Sequence, residues 1–204
     1  MRANESPSGK RGRTFTESAR RAQIVAAAIE TIAELGYARA SFAQIAKRAG
    51  LSSTGLISYH FASKSELVKQ AVIQIYGEIT AFMTERLQGR PTASAALRAY
   101  IEGNVEFSGA HPVEMEALLD IFINGGIDYD EPKERTTLSP LEQILHWGQE
   151  TGEFRAFDVQ VMATSLQRSV EGPNFLLAGD AALDLQAYAR ELVALFERAT
   201  RADT

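Results

Sequence analysis

Residues 41–61 read SFAQIAKRAGLSSTGLISYHF. Ser41, Ser52, Ser53, Thr54 and Ser58 offer hydroxyls, Tyr59 a phenol and His60 an imidazole, while Lys47, Arg48 and the nearby Lys64 supply positive charge. Hydroxyls on short side chains next to Gly55 let a backbone come close to a polar surface. Basic side chains and the free N–H groups of helix starts bind anions such as phosphate. This chemistry is recognition rather than bond breaking. Elsewhere Ser and Thr are scattered without a paired His, and the chain has no Cys. Disulfides, thiol nucleophiles and Cys-held zinc are therefore excluded. His111, Glu114, Glu116 and Asp120 lie close in sequence but lack an HExxH-like spacing, and they read as a solvated acidic face. No catalytic residue, metal or cofactor is expected, and an all-helical enzyme is only a remote alternative.

The elements that carry these residues are helices. Apolar residues recur at three and four, and no clear run alternates with period two. The spacing predicts about nine helices. Residues 1–13 read as a disordered basic arm whose Lys10, Arg11 and Arg13 either enter a minor groove or stay solvated. Helix 1 is expected from Thr14 or Thr16, with Val25, Ala28, Ile29 and Ile32 buried and Gly36 as the stop. Helix 2 opens on a capping box, Ser41 with Gln44, and stops at Gly50. Helix 3 is expected from Ser52 or Ser53 to Phe61, and helix 4 opens on Ser63 with Glu66. Two short helices joined at a Gly turn form a helix-turn-helix. A major groove roughly 12 Å wide admits the second helix while the first crosses the backbone.

Charge divides the chain in the same way. Residues 1–64 hold ten Lys/Arg against four Glu, a balance of +6, and the remainder carries −11 within a net charge of −5. A basic head joined to an acidic body suggests two tasks on one chain. The expected organisation is an arm over 1–13, a DNA-binding domain over 14–64 and a sensing and dimerisation domain over 65–204. No apolar run nears the roughly 20 residues of a membrane span, and the polar N-terminus lacks a signal-peptide core, so a cytoplasmic location is expected.

Several anchors in register resemble the TetR-type regulators between about Arg20 and Val72. They are Leu35-Gly36-Tyr37 at the exit of helix 1, Ser41–Ala46 as the second helix, the Ala49-Gly50-Leu51-Ser52 turn, and Tyr59-His60-Phe61 running into Ser63–Leu67. The spacing from Gly50 to Phe61 is one residue longer than is common in that family, and Ser58 falls where the family often has Tyr. The resemblance implies double-stranded DNA as partner and a backbone-contact role for Tyr59, His60 and Lys64. The full candidate set is Arg39, Ser41, Phe42, Lys47, Ser52, Ser53, Thr54, Gly55, Ser58, Tyr59, His60 and Lys64. For several of these a plain structural role stands beside the DNA role. Tyr59 covers the core edge or meets DNA, His60 meets DNA or braces helix 4, and Arg39 reaches phosphate or solvent. Leu56 faces the core or a thymine methyl.

The body is expected to be helical throughout. Helix 6 should turn Met115, Leu118, Leu119 and Phe122 inward. A long loop is expected over 124–137, with helix 7 opening at Ser139-Pro140. Helix 8 is expected from Asp158 and should kink or break at Gly172-Pro173. The resemblance implies a small-molecule pocket, with Tyr76, Tyr100, Asn104, Phe107, Phe122, His146 and Trp147 as candidates. It also implies a homodimer through the last two helices, with Met162, Leu166, Val170, Tyr188, Leu192 and Phe196 as candidates. The function expected is a dimeric repressor released from a palindromic operator by an inducer. The alternative is a ligand-independent DNA- or protein-binding adaptor of the same fold.

Overall fold

The computed structural model describes the backbone of residues 8–124, 131–177 and 182–202, and side chains over 16–124, 139–177 and 182–202. Among these residues nine helices form: α1 (Ser8–Leu35), α2 (Phe42–Arg48), α3 (Gly55–His60), α4 (Lys64–Leu87), α5 (Ala93–Ala110), α6 (Pro112–Asn124), α7 (Glu131–Glu150), α8 (Val159–Leu176) and α9 (Leu185–Thr200). No strand forms among them beyond one isolated antiparallel bridge, Phe154 with Arg201. The fold is all-α, as the helical periodicity predicts.

Two units form. The first takes the chain up to Ile75 together with α6 from Ala117, and the second takes Tyr76–Glu116 with α7, α8 and α9. In the first, Ile24, Ala28 and Ile32 of α1 are fully or almost fully buried, along with Ile45 of α2, Ile57 of α3, Phe61, and Leu67, Ala71 and Ile75 of α4. The core of the second contains Leu97, Tyr100 and Ile101 of α5, Leu141 and Leu145 of α7, Phe154, Leu166 and Val170 of α8, and Val193 and Phe196 of α9.

Helix ends follow local chemistry. Ser41 accepts the Gln44 N–H at 3.3 Å, Ser63 that of Glu66 at 3.1 Å, and Thr92 that of Ala95 at 3.1 Å. Asp158 and Asp184 cap α8 and α9 in the same way. Gly36 and Gly50 take φ of +81° and +63°, the left-handed region that ends α1 and α2 with little cost only for Gly.

Four expectations are corrected. α1 starts at Ser8 rather than at Thr14 or Thr16, so the helix takes in residues 8–13 of the expected arm. No Pro interrupts the chain between Ser8 and Leu35, and Lys and Arg are good helix formers. α3 starts at Gly55, and Thr54 precedes it without a side-chain cap bond. α7 starts at Glu131, inside the expected loop, so Pro140 stands within the helix; Pro132 occupies the first turn, where its missing N–H costs nothing. The remainder of that loop, 125–130, lies outside the described residues.

The fourth correction concerns Gly172-Pro173. α8 continues through it to Leu176. Pro173 has no N–H to give to the Ser169 carbonyl four residues back, and the Tyr188 hydroxyl donates to that carbonyl instead, at 2.8 Å. Gly172 makes room for this bond, because a Cβ there would sit 2.3 Å from the Tyr188 hydroxyl. The helix break is avoided by a partner from α9.

Candidate nucleic-acid interface

α3 has six residues and one buried position inside it, Ile57. Ile57 and the C-cap Phe61, one turn apart, are buried and anchor the helix. Burial of two such side chains is worth about 3–6 kcal/mol, ample to hold a helix too short to stand alone. The opposite face is open. Ser52, Ser53, Thr54, Gly55, Ser58 and Tyr59 are all exposed. Leu56 is 38% exposed and Tyr59 73%. Neither Leu56 nor Tyr59 is buried in the core.

The surrounding side chains fix the angle of α3. Arg21 of α1 donates to the His60 carbonyl at 2.7 Å, lies 4.2 Å over the Phe61 ring, and pairs with Glu66 at 3.7 Å. Gln23 donates to the Ala49 carbonyl at 2.7 Å, tying α1 to the turn. The Tyr59 hydroxyl donates to the Glu17 carboxylate at 3.1 Å. His60 is half-buried and meets Tyr59 edge to face at 5.0 Å. Glu17, Ser18, Arg21, Tyr59 and His60 together line a shallow cleft. Arg21, Gln23 and Glu17 were missed by the sequence reasoning. Their only signal is their place on the face of α1 beside its buried stripe.

The basic candidates divide. Lys47 is exposed and carries no ion pair among the described residues. Arg39 is exposed but donates to the Leu35 carbonyl at 2.6 Å. Arg48 is held by Glu30 at 3.3 Å and also by Glu34. Lys64 is half-buried, donates to the Tyr37 carbonyl and lies 4.1 Å over the Tyr37 ring. Burial lowers its pKa, and the Asp120 carboxylate acts the other way. Asp120 also accepts the Tyr37 N–H at 2.5 Å. Lys64 therefore braces the exit of α1 against the start of α4. Ser41 caps α2 and is exposed, and Phe42 is half-buried.

The seven pocket candidates have different surroundings. Phe122 is 47% exposed and lies in the first unit, and His146 is exposed. Phe107 is buried, edge-on to Phe82 at 5.4 Å and stacked on His111 at 4.1 Å. Trp147 is half-buried against the core of the second unit. Tyr76, Tyr100 and Asn104 do share surroundings. Tyr100 donates to Gln167 at 2.7 Å, and Asn104 donates to the Tyr100 carbonyl at 2.8 Å. Gln167 in turn donates to Glu171 at 2.9 Å, and Arg168 pairs with Glu171 at 2.7 Å. Burial, reinforced by Glu171, pushes the Tyr76 phenol up to about 12 and raises Tyr100 as well. The Asn174 side-chain oxygen is buried and accepts no hydrogen bond from the described residues. Gln167, Glu171 and Asn174 were missed. The available signal was three polar residues at i, i+4 and i+7 on a helix whose remaining inward positions are apolar.

Half of the dimer candidates are corrected. Leu166, Val170 and Phe196 are buried in their own core, so no partner chain can reach them. Met162, Tyr188 and Leu192 are half-buried. The outer face of α8 instead presents Val161, Phe175 and Leu176, and α9 presents Leu195, each between 47% and 63% exposed. Outside these groups, His111 lies 3.9 Å from Glu114, and Glu78 completes a half-buried trio with donor atoms within 4.8 Å of one another.

Residues 24–71 match the model of the bacterial regulatory proteins of the tetR family. The HTH-type transcriptional regulator BetI 1 of Chromohalobacter salexigens is 39% identical over 101 residues, 49% of this chain and 50% of its own length. The chain thus spans about half the length of the curated relatives it matches. A protein of Saccharomonospora viridis, solved in complex with choline, superposes with a TM-score of 0.79 at 22% identity, over 91% of this chain and 100% of that one. The transcriptional regulator FadR of Bacillus subtilis, solved with stearoyl-CoA, gives 0.73 at 23% identity, over 85% and 95%. At these identities the structural likeness is one of fold. The head over residues 24–71 is therefore similar to that of the tetR-family regulators, and the all-α architecture of the chain is the fold of these solved proteins.

Proposed function

We propose that the protein is a dimeric, cytoplasmic DNA-binding transcriptional repressor, released from a palindromic operator by a small-molecule inducer. The observation that carries the DNA part is the open face of α3. Ser53 and Thr54, just before the helix, and Ser58 and Tyr59 on it are exposed, and Ile57 and Phe61 hold the helix from behind. Short hydroxyl side chains on and just before an exposed helix suit the base edges of a major groove, which admits one helix. Ser53 and Thr54 read base edges, and Lys47 and Arg39 meet phosphates. Lys64 acts mainly by bracing.

The dimer reading moves to the exposed apolar residues of α8 and α9, Val161, Phe175, Leu176 and Leu195. A second copy supplies the second reading head, about one DNA turn away. The inducer reading rests on Tyr76, Tyr100 and Asn104 with Gln167, Glu171 and Asn174. Two phenols beside a carboxylate suit a cation, and the unpartnered Asn174 oxygen suits a donor. Choline, bound by a protein of like fold, is the first compound to try.

The test is binding to duplex DNA across salt concentrations, read by fluorescence anisotropy. The logarithm of affinity should fall linearly and steeply with the logarithm of salt, because phosphate contacts release counterions. A flat response refutes the DNA reading.

A further inference from the structure

Tyr59 is the most exposed of the large apolar side chains among the described residues, and its hydroxyl proton is already committed. It is donated to Glu17 at 3.1 Å, across 42 residues of chain. A phenol has one proton. While Glu17 holds it, no phosphate oxygen can accept it.

Among the described residues the Glu17 carboxylate also has no ion-pair partner. In the cleft of Glu17, Ser18, Arg21, Tyr59 and His60, the permanent cation is Arg21. That guanidinium is spent on the His60 carbonyl, the Phe61 ring and Glu66. Arg20 is taken up with Gln23 at 2.7 Å. Among the described residues no salt bridge reaches Glu17. An exposed carboxylate therefore stands beside the last turn of α3, on the face assigned to DNA.

We propose that Glu17 restrains DNA docking, by holding the Tyr59 hydroxyl proton that a phosphate oxygen would otherwise take and by placing a negative charge at the edge of the docking face. The inference rests on the DNA-facing assignment of α3 and adds a residue that opposes binding. Docking exchanges the acceptor of the Tyr59 proton from carboxylate to phosphate and brings two anions closer. Both effects reduce affinity for any sequence, since phosphates carry no sequence information. Glu17 thus lowers sequence-independent binding and leaves base readout by Ser53 and Thr54 untouched.

The experiment uses the full chain and a fluorescent random-sequence 30-base-pair duplex at low salt, so no operator need be known. Glu17→Gln keeps an acceptor and removes the charge, and Glu17→Ala removes both. Both should bind about 3- to 10-fold tighter than wild type, the range expected from one exposed charge and one exchanged hydrogen bond. In a Tyr59→Phe background the gain from Glu17→Ala should shrink, because no hydroxyl remains to be released. Glu17 and Tyr59 are both exposed, so these changes leave the core intact. Unchanged or weaker binding by both Glu17 variants overturns the proposal. A wild-type protein that shows no salt-sensitive binding to the duplex overturns the DNA-docking reading and this proposal with it.

Discussion

Gly50 ends α2 at φ +63° with nothing within 4 Å of where a Cβ would lie. Space is therefore no obstacle to a side chain there; the obstacle is the left-handed backbone. Gly50→Ala should cost about 1–2 kcal/mol, the penalty of an L-residue in that region. In a chain of this size that lowers the thermal midpoint by roughly 2–8 °C. A melt followed by circular dichroism checks it, and an unchanged midpoint would mean that the turn relaxes. The individual caps were legible because they are local. Ser41 with Gln44 and Ser63 with Glu66 need only three residues of context. Lys64 was legible only as a cation. Its contacts with Tyr37, 27 residues earlier, make it a brace, and no spacing within its own helix announces them.

α8 shows what periodicity can and cannot say about an element. The apolar stripe Ala163, Leu166, Val170 was plain, but a stripe does not name what covers it. These residues face the core of their own chain. The apolar positions left outside, Val161, Phe175 and Leu176, lie on the opposite side of the helix wheel. They carry the dimer proposal. Phe175→Glu should shift the protein from dimer to monomer in analytical ultracentrifugation, while Leu166→Ala should destabilise the fold by about 2–5 kcal/mol instead. A dimer that survives Phe175→Glu at micromolar concentration would remove this face from consideration. Pro173 makes the same point from another side. A Pro in a helix predicts a kink or a break; α8 is not broken, and the Tyr188 hydroxyl takes the Ser169 carbonyl that Pro173 leaves without an N–H.

At the scale of the molecule, the charge division seen in the sequence has a physical consequence. Basic residues through Lys64 attract polyanions, and the acidic remainder opposes non-specific adhesion of the body to DNA. The all-α architecture was legible because helical periodicity runs through nearly every segment. The polar group proposed for the inducer was not, because Tyr100 meets Gln167, and Tyr76 the charge of Glu171, only through folding. The DNA-facing assignment of α3 is the claim on which the operator, the dimer spacing and the Glu17 proposal all depend. Amide hydrogen exchange, measured with and without bound duplex, tests it directly. Protection should concentrate in peptides covering residues 41–61, with α8 and α9 unchanged. Protection that leaves 52–60 untouched and appears elsewhere would contradict the account.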